Sequence, residues 1–317
     1  MRQEKTSCKS FIHEYIESVQ WSPCPCFPWW KAGLTEVSMQ QRKGPAWGEF
    51  LKLFRDTGRQ RHRYEVFRDF VTMAALSLHN AINKVEKLEE EYLSIIRRYD
   101  REDVERFPRL LAALVEVLEI EPWDALGQLY MELEIASEHV GQFFTPPEVS
   151  ELMARLTYGE EIKNLTKPFV TVQEPACGAG GMILAFTKVM LEAKLNPAER
   201  LWVHCQDVDR TAALMCYVQL SLWNIPGVVV VGNTLTMDTR EVFYTPAHYL
   251  GRWDDRLAVR RACEAMQSLL GAPQAIESAA LVATSDAAPV EFNASRAEQI
   301  QPPLSPPGDQ QQFDFGF

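Results

Sequence analysis

Between Phe169 and Gly232 the chain alternates short apolar runs with helical stretches, a pattern that few folds accommodate. Val170, Val172 and Gln173 form the first run, Leu201-Trp-Val-His-Cys205 the second and Val228-Val-Val-Val231 the third. Met182 to Ala193 and Asp209 to Trp223 lie between them with helical spacing. Short apolar runs separated in this way read as buried strands joined by crossover helices. Strand, helix, strand, helix, strand is the half-unit of a doubly wound parallel sheet, so the expected class here is α/β.

The residues before this alternation have a helical period. Trp47, Phe50, Leu51 and Phe54 fall at i, i+3, i+4, i+7. Leu78, Ala81, Ile82, Val85, Leu88, Tyr92, Ile95 and Ile96 continue such a stripe, which predicts one long helix. Val104, Phe107, Leu110, Leu111, Leu114 and Leu118 give another, and Leu126, Leu129, Tyr130 and Leu133 a fourth. All read as core faces.

Four regions are therefore expected. Residues 1–38 form an irregular extension with Cys8, Cys24-Pro-Cys26 and Phe27-Pro-Trp-Trp30, and Met39 reads as the natural start. Residues 39–140 form a helical domain, and 141–262 an α/β domain. Residues 263–317 run into a Pro-, Ser-, Ala- and Gln-rich tail that reads as disordered. The CxC spacing, with no second close pair, is a weak metal signal, and no metal is expected. The seven scattered cysteines read as reduced thiols of a cytoplasmic protein. There is no apolar run of eighteen residues, so no membrane helix is expected.

The net charge of -11 argues against non-specific coating of nucleic acid. Locally the sign reverses. Arg42, Lys43, Lys52, Arg55, Arg59, Arg61, Arg63 and Arg68 outnumber the acids around them. Arg59-Gln-Arg61-His-Arg63 reads as a loop or helix start. It is either a solvated face or a contact for DNA phosphates.

The chemistry-bearing segment is Glu174-Pro-Ala-Cys-Gly-Ala-Gly-Gly181, between a strand and a helix. Gly178, Gly180 and Gly181 allow a sharp turn and close approach of a ligand. No Lys-Ser or Lys-Thr follows, so this is not a P-loop. An acid just before the turn suits an amino or hydroxyl group better than a phosphate. The second strand ends at Gln206-Asp207, where a doubly wound fold grips ribose hydroxyls. Asp207 lies 29 residues after Gly178, and either it or Asp209 could instead cap the next helix. Upstream stands Gly141-Gln-Phe-Phe-Thr-Pro-Pro-Glu148. Thr145, Pro146 and Glu148 there can form a capping box, which leaves Phe143 and Phe144 unexplained.

In this order and spacing, the three pieces resemble the N-6 class of adenine-specific DNA methyltransferases, and in particular the modification subunit of type I restriction systems. Asp124-Ala-Leu-Gly-Gln-Leu-Tyr130 matches a phrase that ends the helical region there. The resemblance spans roughly residues 120–235 and implies a Rossmann-like domain that uses S-adenosylmethionine. It implies that Gln142, Phe143, Phe144, Thr145 and Pro146 fold over the cofactor and hold its methionine end. Glu174 and Cys177-Gly178-Ala179-Gly180-Gly181 would lie beneath it, and Asp207 would bond its ribose. DNA is the implied substrate. A specificity subunit or a second methyltransferase chain is the implied partner.

The chain departs from this pattern in two places. Asn233 stands where the family usually has the acid of Gly-Asp near the cofactor's adenine, and an Asn can still hydrogen-bond that ring. The family then has Asn or Asp, Pro, Pro and an aromatic residue, which hold the flipped target base. No such tetrapeptide follows the third strand here. Thr245-Pro-Ala-His248, 12 residues after Asn233, is the nearest positional substitute, with Thr245 and His248 as candidate catalytic residues. An ordinary turn is the alternative for it. The expected fold is thus a helical N-terminal domain followed by a partial Rossmann-like methyltransferase domain. The expected function is methyl transfer to the exocyclic amine of adenine in DNA. The alternative is an inactive relative that binds cofactor and DNA, or a partner chain. A nicotinamide enzyme is disfavoured, because no GxGxxG is present.

Overall fold

Twelve helices and four strands occur among the described residues, 39–132 and 144–270 of a computed structural model. The readings placed on residues 1–38, on Gln142 and Phe143, and on the tail beyond residue 270 lie outside them.

The first helices are α1 (Met39–Arg42), α2 (Pro45–Asp56), α3 (Arg63–Ile82), α4 (Glu86–Ile96), α5 (Arg101–Leu118) and α6 (Ala125–Glu132). Pro45 opens α2, where its missing N–H costs nothing, and Trp47, Phe50 and Phe54 point inward. Asp100 caps α5 by accepting from the Asp103 amide at 3.0 Å. Helix α3 is the central element, buried at Val66, Phe67, Phe70, Val71, Leu76, Leu78 and other positions between Val66 and His79. The long helix predicted through Leu78 and Ile96 is instead two, α3 and α4, broken at Asn83. The reason is local. The Asn80 carbonyl oxygen accepts the Val85 amide at 3.1 Å, so the side chain takes over the chain reversal that the helix ladder would otherwise forbid.

The α/β part comprises α7 (Pro147–Lys163), β1 (Val170–Glu174), α8 (Gly181–Glu192), α9 (Pro197–Arg200), β2 (Leu201–Asp207), α10 (Arg210–Leu222), β3 (Gly227–Asn233), β4 (Asp238–Tyr244) and α11 (Pro246–Leu250). The sheet order is β1-β2-β3-β4. The first three strands are parallel, with Val172 beside Val203 and Cys205 beside Val229. This is the α/β half-unit that the alternation predicts. Strand β4 runs antiparallel to β3 as the return arm of a hairpin. Helix α3 packs on crossover helix α10, and α7 packs on α8.

A buried charge network ties the helices to the sheet. Arg42 of α1 pairs with Glu121 and with Glu151 of α7. Lys188 of α8 pairs with the same two acids, at 2.8 and 3.0 Å. Glu121 is 0% exposed, and Arg42 and Lys188 are nearly so. Each charge is matched within the network, the condition under which burial of ions is tolerable.

Contacts divide the chain into residues 1–253 and 254–317, so the helical part and the sheet share one unit. Helix α12 (Trp253–Leu270) accounts for the described part of the second unit and carries an Arg260–Glu264 pair at 2.7 Å. No described helix is long and apolar enough to cross a membrane.

Candidate functional site

The carboxyl ends of the three parallel strands carry most of the polar residues singled out by the sequence. Strand β1 ends at Glu174, and the chain then turns into α8 through Gly178 and Gly180, whose φ angles are +53° and +94°. Both lie in the left-handed region that glycine occupies without penalty. A Cβ on Gly180 would also stand 3.0 Å from Cys216 Sγ, and one on Gly178 3.0 Å from Phe144 Cδ1. The Cys177 amide donates to the Gln206 carbonyl at 2.9 Å, stitching the turn to the end of β2. Phe144 therefore lies against the glycine turn, and its ring meets Tyr130 edge-on at 5.3 Å. Two pieces far apart in sequence are together.

Two carboxylates flank the turn, each 8% exposed. Glu174 accepts from the Ala176 amide at 3.3 Å. Burial pushes its carboxyl up to about 7. Asp207 accepts from the amides of Gly178 and Asp209, both at 2.8 Å. Burial raises its pKa too, against the pull of those backbone donors. The capping alternative belongs to Asp209, which accepts from the Ala212 amide at 2.9 Å at the start of α10. Asp207 is left bracing the glycine turn.

The capping box expected at Thr145 and Glu148 is not formed. The helix begins one residue later, at Pro147, with Pro146 as the cap residue and no side-chain cap bond. Thr145 and Pro146 are exposed. Beyond β3, Asn233 folds the hairpin tip, its carbonyl oxygen accepting from the amides of Leu235 at 2.9 Å and Thr236 at 3.4 Å. Thr234 donates to the Pro175 carbonyl at 2.7 Å and so holds that tip against the turn. The Cys177 thiol lies under the turn with buried Cys205 and Cys216. Its hydrogen bond to Cys205, together with burial, holds its pKa well above the usual thiol value.

Thr245 and His248 are elsewhere. Because β4 runs back along β3, they sit at the amino end of the parallel strands, with the Thr245 amide bonded to the Gly227 carbonyl at 3.0 Å. Thr245 Oγ1 donates to the Ile225 carbonyl at 2.9 Å and accepts from the Gly227 amide at 3.0 Å. His248 Nδ1 accepts from the Trp202 indole at 3.1 Å. A group acting on a ligand at the glycine turn would have to stand at the other end of the sheet, so the structure does not bring this pair to the turn.

The basic cluster also divides. Arg63 donates to the carbonyls of Thr57 at 2.9 Å and Arg61 at 3.1 Å, closing the end of α2. Arg61 pairs with Glu65 at 2.7 Å and lies 4.7 Å from the Tyr99 ring centre. Arg59 is 73% exposed and pairs with Asp56.

The N-6 DNA Methylase family model matches residues 124–256, from Asp124 through the turn, both carboxylates and the hairpin. This stretch is similar to the N-6 DNA methylase family. The type I restriction enzyme MpnII methylase subunit of Mycoplasma pneumoniae is 27% identical over 153 residues, 44% of this chain and 26% of that protein. The match thus spans about a quarter of the relative's length. A crystal structure of the type I restriction-modification system methyltransferase subunit from Streptococcus thermophilus aligns over 59% of this chain and 56% of its own. It does so at 15% identity and a TM-score of 0.30.

Sequence reasoning missed one participant. Gln219 is fully buried in the middle of α10, and its side chain reaches the Ala179 carbonyl at 2.8 Å. No motif surrounds it. A glutamine in the middle of an otherwise apolar helix was the available signal.

Proposed function

We propose that residues 141–262 bind S-adenosylmethionine and serve a type I restriction-modification methyltransferase that acts on adenine in DNA. The observation that carries this reading is the left-handed glycine turn flanked by two nearly buried carboxylates within an N-6 DNA methylase segment. The fit is one of charge. A phosphate would meet Glu174 and Asp207 in repulsion, whereas a sulfonium, an ammonium or a ribose hydroxyl would relieve the cost of burying them. Gln142, Phe143, Phe144, Thr145 and Pro146 would hold the methionine end. Glu174 and Cys177 to Gly181 would form the floor, Asp207 would accept from the ribose, and the Asn233 amide would face the adenine. Bound S-adenosylmethionine supplies the electrophilic methyl group. The chain's part is to orient it and exclude water.

DNA as substrate, a specificity subunit or second methyltransferase chain as partner, a cytoplasmic setting, and the division at residues 39–140 and 141–262 belong to the same proposal. A second reading, a relative that binds but does not transfer, is favoured by the missing tetrapeptide and by the place of Thr245 and His248. Calorimetry of the purified chain against S-adenosylmethionine and NAD tests the cofactor. Binding of NAD alone would overturn the proposal. Methyl transfer to unmethylated DNA decides between the two readings.

A further inference from the structure

We infer that Asp124 and Gln219 are positioning residues that set the glycine turn in its ligand-ready shape before any ligand arrives. The inference rests on the cofactor reading above. Three distant parts of the chain meet here: the residue before α6, the middle of α10 and the middle of the turn. Gln219 Nε2 donates both to Asp124 Oδ1 at 2.9 Å and to the Ala179 carbonyl at 2.8 Å. Gln219 Oε1 accepts from the Leu126 amide at 3.1 Å. Asp124 Oδ1 also accepts from the Gly127 amide at 2.7 Å. Asp124 Oδ2 lies against both Gly127 and Gly181, at 2.1 Å and 3.6 Å from where their Cβ atoms would be. The pair thus spans from the helical part to the first residue of α8.

Ala179 lies between the two left-handed glycines. Its carbonyl shares a peptide plane with the Gly180 amide, which donates to the Cys177 carbonyl at 2.8 Å, and the glycine that follows leaves φ on that side free to change. Gln219 fixes that carbonyl from behind, and Asp124 fixes the Gln219 amide, so that its donor end faces the turn. Glutamine is required because the site needs two donors and one acceptor on a single uncharged group. Asp124 serves as an acceptor, and asparagine could supply the same oxygen. Pre-setting the turn removes an ordering cost from ligand binding.

The test measures S-adenosylmethionine affinity by calorimetry. It also follows amide exchange of residues 177–181 in the ligand-free chain, with the core of α3 as internal control. Gln219→Glu keeps the size but keeps at most one donor, the hydroxyl of a protonated acid. It should weaken binding about tenfold and speed exchange in the turn by a similar factor, leaving α3 unchanged. Should Gln219→Glu not fold, Gln219→Met carries the same expectation without a buried charge. Asp124→Ala should behave alike, and Asp124→Asn should recover most of what Asp124→Ala loses. Wild-type affinity and exchange in the folded Gln219 variants would overturn the inference. So would an Asp124→Asn variant as impaired as Asp124→Ala, since the charge would then be what matters. If the wild-type chain binds no S-adenosylmethionine, the cofactor reading fails while the exchange measurements still decide this one.

Discussion

The two ends of the parallel sheet both hold buried polar side chains and use them in opposite ways. At the amino end, the Thr245 hydroxyl spends its donor on Ile225 and accepts from Gly227, in complete burial. At the carboxyl end, Asp207 has two backbone partners and Glu174 one, while a carboxylate offers about four acceptor positions. Polar groups with acceptor sites to spare, held at a rim, are ready for a ligand. Polar groups already matched are part of the frame. Residue identity alone does not separate the two cases, since a Thr–His pair that reads as chemistry in the sequence is carpentry in the fold.

The sharpest way to break this comparison is Gly180→Asp. It combines left-handed strain, contact with Cys216 and a negative charge at the turn. Cofactor affinity should fall by about hundredfold or more, as read by calorimetry. Unchanged affinity with an intact fold would remove the turn from the site.

Glu174→Gln should separate stability from function. A carboxyl raised to about 7 binds a proton more tightly folded than unfolded. Stability therefore falls as pH rises from the ordinary Glu value to about 7, and the penalty is complete above that. The variant should be more stable than wild type at pH 8, by up to about 3 kcal/mol, with no advantage at pH 4. Its affinity for a cationic cofactor should drop over the same range. Equal denaturation midpoints at both pH values would show that Glu174 is not held in its neutral form by the fold.

Thr245→Ala should do the reverse. Leaving the buried Gly227 amide without its acceptor should cost about 1–3 kcal/mol in denaturant melts, with cofactor affinity retained. Loss of affinity at unchanged stability would put Thr245 back at the site. The smallest effect is expected at Arg59, the exposed member of the basic cluster. If it meets a DNA phosphate, Arg59→Ala should lower the slope of log affinity against log salt by about one unit. Arg63→Ala should act instead on melting, because its guanidinium closes α2.

Much of this arrangement was readable from residues. Val170, Trp202 and Val230 lie in strands because short β-branched and aromatic runs between helical stretches have few other uses. The glycine turn and Asp207 followed from their places at strand ends. What was not readable depends on contacts across the sequence. The hairpin after β3 has no Asn-Gly signal. It forms around the Asn233 side chain with Met237 at φ +56°, so the reversal that moved Thr245 and His248 away was hidden. The break at Asn83 depends on one side-chain bond from Asn80. Gln219 matters because of a carbonyl 40 residues earlier, a separation that no local pattern encodes.

The four-charge network of Arg42, Glu121, Glu151 and Lys188 bears on how such a chain can evolve. A recombination joint between residues 132 and 144 would part Arg42 and Glu121 from Glu151 and Lys188, leaving two buried pairs that had each lost their cross-contacts. Replacing a single member would leave one buried charge in excess, at a cost of about 3–5 kcal/mol, a large share of a typical domain's stability. Drift at any of the four positions meets the same barrier unless two codons change together. The network thus favours inheriting helices and sheet together, and joints that carry no buried ions are the easier places to exchange a module.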